Sequence, residues 1–178
     1  ILQNLLLLLG GLLFFFLMGC QSTNPPDLPN QSTAPISETM PSTWDRYQDR
    51  SLEEQISLTG FSSQPEATMY FDFDTFPSRV RVIYTGESRP ISPQKQELLS
   101  LYIEMRGDDP SIVDFFQTEY RFLEGSSEYW LPIQHPLIPY LEDELEVGDT
   151  ATLFVILIGA NAENGALDHV ILINEFIK

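Results

Sequence analysis

From Thr68 onwards apolar and polar side chains alternate in short runs that predict most of the secondary structure. Met69, Phe71 and Phe73 alternate with Tyr70, Asp72 and Asp74; further on, Val80, Val82 and Tyr84 lie on one side of a run whose other side carries Arg79 and Arg81. A period of two is that of a strand with one wet face. The intervening Thr75–Ser78, which includes Pro77, predicts a hairpin between these strands. Tyr120 and Phe122, then Tyr129, Leu131 and Ile133, predict a second hairpin over 119–123 and 128–133, joined by EGSS. The run LFVILI, residues 153–158, is apolar at every position and predicts a strand over 151–158 buried on both faces. Residues 168–177, with Val170, Ile171, Leu172 and Ile173, supply its hairpin partner.

Helical spacing is clearest after Ser92. Ser92 is placed as a cap and Pro93 as the first helical residue, where its missing N–H costs nothing. Leu98, Leu101, Tyr102 and Met105 form a stripe, and Gly107 is placed to end it. Asp109 and Pro110 repeat the start signal for a short helix over 111–117. Ser51 and Glu54 have capping-box spacing ahead of Leu52 and Ile56, so 44–60 is expected either as a flexible extension of the tether or as one or two helical turns. Pro132, Pro136 and Pro139 interrupt the chain, so 135–142 is expected as a loop or single turn. The expected class is α+β, mainly antiparallel β: a small barrel or sandwich of about six strands with one or two helices.

The first part of the chain has a different texture. Residues 5–19 contain no polar side chain, an apolar run of fifteen where a spanning helix needs about twenty. Residues 17–20 read LMGC, followed by Gln21. This resembles the processing site of bacterial lipoproteins, with a long apolar residue three before the cysteine and a small residue immediately before it. The resemblance implies cleavage before Cys20, a diacylglycerol on its thiol and acylation of the new amino terminus. It also implies a site in the cell envelope, with Gln21 rather than Asp tilting towards the outer membrane in a Gram-negative organism, on its periplasmic or surface face. The chain as it stands opens at Ile1 without the Met and basic segment usual in such leaders. Residues 21–43 hold five prolines and eight Ser or Thr among 23 residues, the composition of a solvated tether. The expected organisation is a leader over 1–19, an anchor and tether over 20–66, and a folded β-rich domain over 67–178.

Charge narrows the partners. All 26 acidic and all nine Lys or Arg residues follow Cys20, giving a net charge of −17 that is repelled by nucleic-acid phosphates. Cys20 is the only cysteine, so the domain holds together by its core without an internal disulfide.

Little in the domain points to chemistry. No phosphate-binding glycine loop and no G-x-S-x-G elbow occurs there. His135 and His169 are distant in sequence, and Asp168 and His169, as strand neighbours, point to opposite faces. Glu142, Asp143, Glu144, Glu146 and Asp149 form an acidic run without the twelve-residue calcium-loop pattern. Neither a metal nor a cofactor is therefore expected. Tyr129 and Trp130, with Gln134 nearby, are the candidate recognition residues, since aromatic side chains at a strand end line interfaces and small pockets. The expected function is non-catalytic: an envelope lipoprotein whose domain engages a protein partner or contributes structurally. The alternative is a binding protein for a small ligand or envelope polymer, with an aromatic-lined cavity near Tyr129 and Trp130.

Overall fold

The computed structural model describes residues 43–61, 67–163 and 165–178. The expected leader, Cys20, the expected tether as far as residue 42, residues 62–66 and residue 164 lie outside the described residues. Three α-helices and seven strands follow in the order β1 (Gln48–Asp49), α1 (Leu52–Leu58), β2 (Met69–Phe71), β3 (Ser78–Pro90), α2 (Pro93–Arg106), β4 (Thr118–Glu124), β5 (Ser127–Ile133), α3 (Ile138–Glu144), β6 (Thr150–Glu163) and β7 (Ala166–Ile177). Short 3-10 turns occupy Thr43–Arg46, Pro110–Phe115 and His135–Leu137.

The strands form one seven-stranded sheet in the order β1-β3-β4-β5-β7-β6-β2, with a further pairing of β3 to β6. Long β3 pairs through its first half with β6 and through its second half with β4, so the pairings of β3, β4, β5, β7 and β6 run round a closed circuit. The sheet is mixed, because β1 runs parallel to β3 and β5 parallel to β7. This corrects the expected class, a small barrel or sandwich of about six mainly antiparallel strands with one or two helices. β1 is two residues long, too short to leave an alternation in the sequence, and parallel contacts depend on strand order rather than on local pattern.

Two local expectations are corrected as well. Residues 69–83 form no hairpin. β2 and the first half of β3 both pair antiparallel with β6, which has β7 along its other edge, so they lie end to end on one edge. Between them the chain bulges: the Asp72 carboxylate accepts from the N–H of Asp74 at 2.9 Å, and Thr75 and Phe76 adopt positive φ. Residues 135–142 are helical rather than a loop or single turn, a 3-10 turn running into the seven-residue α3. Pro139 sits in the first turn of α3, where a missing N–H breaks no helical bond.

Two buried layers result. Inside the circuit, Val80, Val82, Phe122, Leu131, Ile133, Leu153, Val155 and Leu157 pack together, with Leu52 of α1 and Leu141 of α3. Outside it, α2 lays Leu98, Leu99, Tyr102 and Ile103 on Ile158, Val170 and Leu172. LFVILI thus has both faces covered, as its composition predicts. The Ser92 cap, Pro93 in the first turn and left-handed Gly107 bound α2 as expected. Burial begins well ahead of residue 67: Tyr47 and Leu52 are buried, and the Trp44 and Tyr47 rings lie 4.7 and 5.4 Å from that of Phe154.

Candidate functional site

The three candidate recognition residues do not converge. Tyr129 and Trp130 are consecutive on β5, so their side chains leave opposite faces of the strand. Tyr129 packs against the interior core, and burial pushes its phenol pKa up. Trp130 lies on the outer face under the Arg89 guanidinium, 3.9 Å from its ring centre. Gln134 donates to Asn174 at 3.3 Å, and Asn174 in turn donates to the Tyr47 hydroxyl at 3.0 Å.

What surrounds Trp130 is a charged cluster beneath the start of α2. Lys95 is 1% exposed and Glu119 fully buried, and the ammonium meets the carboxylate at 2.9 Å. Lys95 also reaches Asp168 of β7 at 3.2 Å and donates to the Trp130 carbonyl at 3.2 Å. Arg89 binds the second oxygen of Glu119 at 2.5 Å from the neighbouring strand, with which it is in register. Two cations and two carboxylates therefore neutralise each other across α2, β3, β4 and β7. Taking such charges out of water is costly, and losing one partner of a buried pair costs roughly 3–5 kcal/mol. The arrangement fastens α2 to the sheet, and each group is committed to another. Sequence reasoning passed over it, although Lys95 is in helical phase with Leu98, Leu99 and Tyr102, an anomaly that marks a buried cation. Asn161, paired in register with Asp168, is 4% exposed, and neither of its amide atoms has a hydrogen-bond partner among the described residues.

The histidines stay apart. His135 is exposed on its 3-10 turn, whereas His169 is half-buried on β7 with its ring parallel to that of Phe61, 6.5 Å away. Burial lowers the His169 pKa, opposed by Asp168 and reinforced by Lys95. Phe61 and His169, with Ile56, Thr59 and Leu167, line a cleft of about 400 Å³. In the acidic run, Glu142 accepts from the buried Tyr120 hydroxyl at 2.5 Å, and Asp149 meets Lys178 at 2.7 Å. The Lys178 bond, with the Glu146 N–H, holds the Asp149 carboxyl below its ordinary pKa. Among the described residues no three His, Cys, Asp or Glu side chains are grouped to hold a metal ion.

No protein-family model, curated protein or solved structure matches the chain.

Proposed function

We propose that this chain is a lipid-anchored protein of the cell envelope, held at the membrane through Cys20, whose folded unit engages a protein partner or contributes to an envelope assembly. One observation carries the reading: the apolar run ending in LMGC is followed directly by a Pro, Ser and Thr-rich stretch, the order anchor, tether and domain. More than one acyl chain at the cysteine converts marginal adsorption into stable anchoring. The domain's chemistry supports a docking role over a catalytic one, because the buried ions beneath α2 are partnered with each other and apolar side chains stand exposed along the same helix. The ligand-binding alternative drew its cavity at Tyr129 and Trp130, whose side chains leave opposite faces; the cleft at Phe61 and His169 is the place where a small ligand would have to be sought instead.

The test is fractionation of cells expressing the full chain with Cys20→Ala. The variant is expected to lose stable membrane retention, while the parent chain remains in the membrane fraction. Full membrane retention of Cys20→Ala would remove the basis of the proposal.

A further inference from the structure

The outward flank of α2 has a composition that the core does not explain. Leu101 and Met105, one turn apart, are 38% and 51% exposed, and Phe73, 54% exposed, stacks on Tyr102 with ring centres 5.5 Å apart. These three side chains share one flank. A Cβ placed on Gly159 would touch both the Tyr70 carbonyl and the Leu98 side chain, so β2 and the bulge after it run along the Leu98–Tyr102 side of the helix. Leu101 and Met105 lie next to Leu98 and Tyr102 on the helical wheel, towards solvent. Ile112 and Val113 of the 3-10 turn after α2 pack against the buried cluster beneath the helix.

Around this apolar strip stand carboxylates. Asp74, Glu97 and Glu104 are all exposed, and none has an ion pair among the described residues. Arg106, which lies over the Tyr102 ring and donates to its hydroxyl at 3.3 Å, is neutralised by Asp108 at 2.7 Å. An apolar strip within a negative rim is complementary to apolar side chains flanked by positive ones. The same charge argues against other occupants: two copies of a chain at −17 repel, and so do this rim and anionic lipid headgroups.

We infer that Phe73, Leu101 and Met105 form a docking strip for a protein segment whose apolar side chains are flanked by lysine or arginine. This rests on the partner-binding reading above and gives it a surface and a partner chemistry. Met105 suits such a contact, because an unbranched thioether adapts to an irregular partner, and the rim charges act on specificity and rate of encounter.

Photo-crosslinking from the full anchored chain in intact cells tests it, with benzoylphenylalanine in place of Met105 and, in parallel, in place of Tyr140 on α3, which is also exposed. Crosslinks from position 105 are expected on a protein segment with Lys or Arg beside apolar residues. Glu97→Gln with Glu104→Gln should cut their yield about tenfold, a loss of rim attraction, and Asp143→Asn with Glu144→Gln on α3 should leave it within about twofold by the same reasoning. Crosslinks from position 140 alone would overturn this surface and leave the partner-binding reading standing, whereas none from either position would sink both. Crosslinks from 105 into lipid, or equal losses from the two charge-removing pairs, would also overturn the strip, the first by making it a membrane contact and the second by reducing it to general charge attraction.

Discussion

Lys95 and Glu119 show how a single buried pair can fix a helix on a sheet. With Glu119 left in place, Lys95→Met removes one of its two cations and also a donor to the Trp130 carbonyl, so a loss of about 3 kcal/mol is expected in urea unfolding. Adding Glu119→Leu should recover most of that loss, since a well-packed apolar pair dispenses with the desolvation of both charges. Strictly additive losses in that cycle would contradict the coupling described here. His169 gives a pH signature. Its folded pKa lies below the ordinary 6.5, so the unfolded chain binds the proton more readily. The stability associated with a neutral His169 is complete above about pH 6.5 and falls as pH drops from there towards the folded pKa. His169→Phe is expected to flatten that part of the profile of urea midpoint against pH; an unchanged slope would show that other groups carry it. Both residues stood in the sequence as ordinary strand and helix positions. Lys95 was legible only as a polar break in an apolar stripe, and the partners that explain it come from strands 24 and 73 residues further on, Glu119 and Asp168.

At the scale of elements, α2 was the most legible because cap, proline, helical spacing and terminal glycine all agree, and local agreement of that kind needs no tertiary information, although the face it buries is Leu98, Leu99, Tyr102 and Ile103 and leaves Leu101 and Met105 of the expected stripe exposed. The β4–β5 and β6–β7 hairpins were legible for the same reason. α3 was hidden because Pro136 and Pro139 read as breaks until their place at a helix start is known. The false hairpin over 69–83 has a different cause: alternation gives a strand's faces but not its partner, and both segments chose β6. Gly159 is where these elements meet. A Cβ there would lie 2.2 Å from the Tyr70 carbonyl oxygen and 3.3 Å from the Leu98 side chain, so Gly159→Ala must push β2 away from β6 or lift α2. We expect a loss of roughly 1–3 kcal/mol, the range for overpacking, with the earliest loss of amide protection in β2. A neutral Gly159→Ala would mean that β2 is held more loosely than its pairing indicates.

For the whole molecule, the separation of charge is the organising fact. The first 20 residues carry none, and all 35 acidic or basic side chains, 26 and nine, come after them. An apolar segment, a Pro, Ser and Thr-rich segment and an acidic remainder follow one another, which is the order that the proposed export and acylation require. Tyr129, Trp130 and Gln134 are near one another in sequence, and strand geometry divides what sequence nearness joins. The central claim is the modification at Cys20, and mass spectrometry of the protein purified from membranes reads it directly. The expected result is an amino-terminal fragment beginning at Cys20, lacking residues 1–19 and carrying a diacylglycerol with or without a further acyl chain. An amino-terminal fragment that retains residues 1–19, or an unmodified Cys20, would contradict it.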